Sequence, residues 1–159
     1  RSLVVNADDF GFTRDVNQGI LQAHNQGILT ATTLMANGAA FADAVQLAHA
    51  HPSLDIGVHL QMVQGECISC PGRALPASIA SLLAELTMRR WDILSEFRAQ
   101  TEQILATGLK PTHLDTHKHT HLLPPVLEAL AKVSHEYGIR WVRKPFDLPI
   151  TNPRASAKT

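Results

Sequence analysis

Apolar and polar positions along this chain switch between two periods, and the switches mark out its elements. "LVVNA" (3–7) is a short apolar run rich in branched residues, the pattern of a strand buried on both faces. Behind it, Thr13 is placed to cap a helix whose apolar positions Val16, Ile20 and Leu21 share one face, and Gly27 is placed to end it. "TATTLMA" (30–36) predicts a second strand, after which Phe41, Val45 and Ala48 recur at helical spacing until Pro52 stops them. "DIGVHLQMV" (55–63) predicts a third strand. The stretch 64–80 is rich in Gly, Pro, Ser and Cys and reads as a long loop, running into a short helix through "IASLLAEL".

Asp92 is placed to cap a helix carrying Ile93, Phe97, Ile104 and Leu105, and Gly108 suits the left-handed position beyond it. "THLDT" (112–116) predicts the fourth strand. Pro124 and Pro125 fit a helix's first turn, Val126, Leu127, Leu130 and Val133 make its apolar stripe, and Gly138 ends it. "IRWVRKP" (139–145) predicts the fifth strand.

Strand and helix alternate throughout, which argues for an α/β fold with a parallel sheet, open or closed into a barrel. A full eight-stranded barrel needs roughly 250 residues, and about five strands are legible here. The tail "PFDLPITNPRASAKT" (145–159) has three prolines and no periodicity. The expectation is one domain over 1–159, either an open sheet or the N-terminal part of a larger barrel. Its fifth strand would have an unpaired edge inviting self-association, as in a homodimer, or completion by further elements.

Composition narrows the function. A hydrophobic content of 45% with 18% charged residues suits a soluble core, and a formal net charge of zero leaves no basic field to gather nucleic acid or anionic lipid. No apolar run approaches the ~20 residues that span a bilayer, so no membrane insertion and a cytoplasmic location are expected. Cys67 and Cys70 form a C-x-x-C, but no second pair and no strand-to-helix context accompany it; both read as ordinary loop thiols, with an accessory metal or a disulfide as the alternative.

The chemistry lies in the histidines and carboxylates. In parallel α/β folds reactive groups gather beyond the carboxyl ends of the strands. Asp8 and Asp9 fall just past the first strand, His59 near the end of the third, and His117 at the end of the fourth. "HLDTHKHTH" (113–121) packs four histidines and one aspartate into nine positions. If 113–117 is extended, His113, Asp115 and His117 point to one side, whereas His119 and His121 fall on the turn into the helix, so only some of them reach one centre. A carboxylate and two imidazoles are the ligand set of a catalytic metal site, with the remaining positions left to water. Of two adjacent carboxylates, one can bind the ion while the other accepts a proton during hydrolysis. The leftover histidines offer a general acid. His24, His49, His51 and His135 lie on helices or their ends and read as structural.

Together "VNADDFG" (5–11), "GILTATTLMANG" (27–38), "GVHL" (57–60) and "KPTHLDTHKHTH" (110–121) resemble the YdjC-like family of carbohydrate deacetylases, which includes chitooligosaccharide deacetylases and a branch associated with hopanoid biosynthesis. The resemblance implies a distorted (β/α) barrel of the polysaccharide-deacetylase type that uses a divalent cation, magnesium or zinc first, to remove acetyl groups from N-acetylated sugars. It implies Asp9, His59 and His117 as metal ligands and Asp8 as general base, leaving Asp115, His119 and His121 for support of the ligands or for the general acid. The alternatives are a metal-dependent phosphoesterase, for which the bridging carboxylates are few, and a non-catalytic metal- or sugar-binding module.

Overall fold

The computed structural model describes residues 3–144. Five strands, β1 (Asn6–Phe10), β2 (Ala31–Leu34), β3 (Asp55–Leu60), β4 (His113–Thr116) and β5 (Trp141–Val142), form one parallel sheet in sequential order. Between them run α1 (Arg14–Gln26), α2 (Phe41–Ala50), then α3 (Ile79–Thr87) and α4 (Ile93–Leu105), both between β3 and β4, and α5 (Pro124–Glu136). The strand order never reverses, unlike a doubly wound open sheet, whose ligands sit at the reversal. Instead the sheet curls. Asn6 on β1 meets His113 on β4 at 3.1 Å, and Asp8 on β1 meets Arg143, just past β5, at 2.7 Å, although neither pair lies on neighbouring strands. This is a segment of a barrel, and its concave face carries Asn6, Asp8, Thr33, Gly57, His59, His113, Asp115 and Arg143.

The helices begin where local chemistry predicts. Thr13 Oγ1 accepts from Val16 N at 3.2 Å, Asp92 Oδ1 from Ser95 N at 3.0 Å, and Ser78 makes a capping box with Ser81. Pro124 and Pro125 open α5. Their apolar stripes pack on the convex face of the sheet, where Leu34, Ile56, Val58, Leu60 and Leu114 join Phe97, Ile104, Leu130 and Val133 in one core. The stripes are narrower than the sequence predicts: Leu105 and Leu127 are 36% and 47% exposed.

The strand ends need correction. The first strand occupies 6–10, not 3–7, and Leu3 and Val4 are 79% and 68% exposed. The apolar run feeds the sheet, while the ladder is made by the polar "NADDF" that sequence propensity disfavours. The third strand stops at Leu60 and not at 63, because the Gln100 side chain takes over as partner: Gln61 N donates to its Oε1 at 2.8 Å and its Nε2 donates back to Gln61 O at 2.7 Å. The loop after it folds into a small hairpin through an antiparallel bridge between Glu66 and Ala74. The fifth strand is two residues long, and the tail 145–159 lies outside the described residues. Among the described residues no helix is long and apolar enough to cross a membrane.

Candidate metal centre

Asp8 and Asp9 do not follow the first strand; they lie within it, and a break in its register makes both useful. The pairing of β1 with β2 shifts between Ala7 and Phe10, and Asp9 sits at φ 65°, the left-handed conformation that aspartate tolerates better than most residues. This bulge turns Asp9 toward the rim. Regular alternation would have sent neighbouring side chains to opposite faces.

His59, at the end of β3, is 2% exposed. Its Nε2 lies 3.1 Å from Asp9 Oδ1 and 3.4 Å from His117 Nδ1, and His117 Nδ1 lies 3.0 Å from the same Asp9 oxygen. Three ligand-type atoms from three segments thus converge on one point. The other His59 nitrogen, Nδ1, faces Asp115 Oδ1 at 2.5 Å and Thr33 Oγ1 at 3.1 Å. A carboxylate behind an imidazole fixes its tautomer and turns the opposite lone pair outward, the arrangement found behind metal-bound histidines. Burial alone would lower the His59 pKa, but hydrogen bonds to Asp115 and Asp9, and their charges, raise it to about 9. Hydrogen bonds from His117 and His59 hold Asp9 well below the usual carboxylate range despite its burial. An anionic oxygen and two imidazole nitrogens sharing one focus fit a divalent ion in donor type and number.

Arg143 was not singled out by the sequence reasoning. Its guanidinium donates to Asp8 Oδ2 at 2.7 Å and pairs with Asp115 Oδ2 at 3.0 Å, while Asn6 Nδ2 donates to Asp8 Oδ1 at 2.9 Å. Burial opposes ionisation of Asp8, but Arg143, His59 and Asn6 outweigh it and keep its carboxyl below the ordinary value. Asp8, His59 and Asp115 also lie close enough to suggest a second ion, but the guanidinium already pairs with one oxygen of each carboxylate. The strand-end filter, applied to cations as well as to His, Asp and Glu, would have found Arg143.

The remaining histidines disperse. His113 points to the concave face but toward the N-terminal end of the strands. There its ring occupies the space that a side chain at Gly57 would fill, since a Cβ would lie 2.5 Å from Nε2. Lys118 and His119 adopt left-handed conformations, φ 53° and 52°, which turn the chain sharply after His117 and leave His119 exposed. His121 is buried, with its Nδ1 2.6 Å from Thr116 Oγ1 and its ring edge-on to His119 at 6.0 Å. Neither His119 nor His121 joins the Asp9, His59 and His117 cluster, whereas Asp115 supports it directly. His24, His49 and His51 bond to backbone carbonyls, of Leu29, Thr107 and Leu47. A cavity of ≈ 670 Å³ opens between Asn6, His113 and Trp141, with Arg143 in its lining and none of Asp9, His59 and His117.

A curled parallel α/β sheet with a carboxylate and two imidazoles at the carboxyl ends of its strands defines a barrel-type protein with a potential metal centre at its rim. Residues 2–158 match the family model described as YdjC-like protein, and the chain belongs to that family. It is 41% identical over 165 residues to a carbohydrate deacetylase of Geobacillus stearothermophilus, covering 94% of this chain and 64% of that protein. It is 39% identical over 148 residues to a carbohydrate deacetylase of Brevibacillus brevis, covering 86% and 57%. A solved structure of a putative cellobiose-phosphate cleavage protein from Enterococcus faecalis superposes with a TM-score of 0.76 at 27% identity, over 97% of this chain and 62% of that one. The chain therefore spans about three fifths of the length of these proteins.

Proposed function

We propose that this chain carries the metal-holding part of a carbohydrate deacetylase, a hydrolase that cleaves the acetyl amide of an N-acetylated amino sugar. The carrying observation is the convergence of Asp9 Oδ1, His59 Nε2 and His117 Nδ1 beside a second carboxylate, Asp8, that does not share their focus. Similarity to proteins named carbohydrate deacetylase supports the same reading. Asp9, His59 and His117 would hold a divalent ion, magnesium or zinc first, which supplies Lewis-acid polarisation of the acetyl carbonyl and acidifies water. Asp115 keeps the His59 proton on Nδ1, and Thr33 Oγ1 flanks the same atom.

Asp8 is the general base: Arg143 and Asn6 hold its carboxylate ionised and oriented, so it is ready to accept a proton from the attacking water. Of the two leftover histidines, His119 is exposed on the turn after His117 and His121 is buried against Thr116, and neither reaches the Asp9, His59 and His117 cluster. A cytoplasmic homodimer completes the proposal, and native mass measurement tests its stoichiometry.

A phosphoesterase with two ions is disfavoured because Arg143 occupies the carboxylate pair a second ion would need. The test is to load the protein, with its full catalytic domain, with zinc, magnesium, manganese, cobalt or nickel in turn and to compare acetate with phosphate release on model substrates. Acetate release dependent on one ion per chain is expected. Phosphate release, or sugar binding without any turnover, would replace the deacetylase reading with one of the two alternatives.

A further inference from the structure

The C-x-x-C, assigned no role in the metal centre, is tied to a charge buried inside the protein. Glu96 on α4 is fully buried. Its Oε2 accepts from the Cys67 thiol at 2.8 Å and from Ser69 N at 2.9 Å, and its Oε1 accepts from Ile68 N at 3.1 Å and Gln100 Nε2 at 2.7 Å. Burying a carboxylate is costly unless its lone pairs are filled, and here the hairpin fills most of them. Gln100 carries the arrangement onward, because the same Nε2 holds Gln61 O, two residues beyond His59. The hairpin also touches the rim elsewhere: Asn37 Nδ2 donates to Glu66 O at 3.0 Å, and Lys118 Nζ donates to Gln64 Oε1 at 2.8 Å.

The second cysteine stands close to this clamp. Cys70 is exposed and Cys67 buried. Cys70 N donates to Cys67 Sγ at 3.2 Å, and both sulfurs contact a single atom, Ser69 Oγ, at 3.3 and 3.8 Å. The turn that follows Cys70 is closed by Arg73 N donating to Cys70 O, and Cys67 N donates to Arg73 O. One thiol that solvent reaches thus lies beside one whose proton is committed to a buried carboxylate.

We propose that Cys67 and Cys70 form a reversible thiol–disulfide exchange site for small-molecule disulfides, in which the reduced state locks the hairpin onto α4 through Glu96 and oxidation releases it. The Cys70 thiolate attacks one sulfur of the small disulfide, forming a mixed disulfide and expelling one thiolate. Cys67 then gives up its proton and attacks the Cys70 sulfur, expelling the second thiolate. A Cys67–Cys70 bond has formed, the small disulfide has taken two electrons, and the two protons end on the two released thiols. Glu96 loses its sulfur donor in that step. Until then it opposes the reaction, since deprotonating Cys67 sets two negative charges 2.8 Å apart inside the protein; burial and Glu96 together push the Cys67 thiol up to about 11. The reduced state is therefore favoured, and the pair closes only under oxidising conditions.

The test uses no enzymatic readout, so it stands or falls separately from the deacetylase proposal. The protein is equilibrated across a range of oxidised-to-reduced glutathione ratios, quenched with an alkylating agent and mapped by mass spectrometry, with amide hydrogen exchange measured in parallel. At oxidising ratios both cysteines should become protected in one cross-linked peptide, and exchange at Ile68 and Ser69 should rise at least tenfold. Cys67→Ser keeps a donor for Glu96 but cannot close the bond, so its Ile68 and Ser69 should stay protected in the same buffers. Glu96→Gln replaces a charge-assisted bond by a neutral one and should shift the midpoint toward the disulfide by about tenfold. Two thiols alkylated as fully in oxidising as in reducing buffer would overturn the proposal. So would a disulfide that leaves exchange at Ile68 and Ser69 unchanged, or a Glu96→Gln midpoint equal to that of the unaltered protein.

Discussion

The two faces of the curled sheet are made by the same five strands and obey different rules. On the convex face Leu34, Ile56, Val58, Leu60 and Leu114 lie at or near zero exposure among helix side chains, and nothing in their contacts is directional. On the concave face each polar group has a specific partner: Asn6 with Asp8 and His113, Arg143 with Asp8 and Asp115, and His59 with Asp115 and Asp9. His59 and Asp115 are as buried as the leucines behind them. The difference teaches that burial alone does not separate core from site. An apolar face tolerates substitution that conserves volume, whereas a buried charge depends on the groups that neutralise it.

The comparison breaks most visibly at the ligands. Asp9→Ala, His59→Ala or His117→Ala should each abolish stoichiometric metal binding while the sheet still folds, as checked by elemental analysis alongside circular dichroism. A fully loaded His59→Ala protein would remove His59 from the centre. Asp8→Asn, in the protein with its full catalytic domain, should keep the ion and lower turnover by ~10²–10⁴-fold, since it loses only the basic oxygen. Asp8→Asn that is fully active with metal bound would show that Asp8 is not the base.

On the convex face the expected outcome is reversed. Leu114→Ala should cost ~2–5 kcal/mol of stability in urea titration, with metal affinity per folded molecule unchanged. Asp115→Asn sharpens the contrast from the other side: the charge behind His59 disappears while the side-chain volume stays, and metal affinity should fall by ~10–100-fold, measurable with a competing chelator.

The smallest step is in pH. His59 has a folded pKa raised from 6.5 to about 9, so in the metal-free protein its stabilising contribution is complete below 6.5 and is lost as pH rises through 9. An ion must displace that proton, so apparent metal affinity should climb by about tenfold per unit over the same window and then level off. Thermal melts with and without metal across pH 6–10 should therefore diverge as pH rises; parallel curves would show that His59 does not bind the ion.

Much of this was legible in the residues in order. Caps at Thr13 and Asp92, prolines opening α5 and the alternation of periods depend on neighbours a few positions apart, so sequence by itself determined the succession of strands and helices. It also brought His59 and His117 forward, because strand-end positions follow from local pattern, and Asp8 and Asp9 with them, although the first strand runs through both. Tertiary structure alone decided the rest. The bulge at Asp9, the turn that directs His119 and His121 away from the cluster, and the burial of Glu96 under the hairpin all depend on packing. Arg143 shows the reason most clearly: its bond to Asp8 joins residues 135 positions apart, and it exists because the sheet curls until its first and last strands face one another. Residue periodicity encodes which face of a strand a side chain takes. The curvature that brings distant faces together is a property of the whole packed sheet, and no single stretch of the chain contains it.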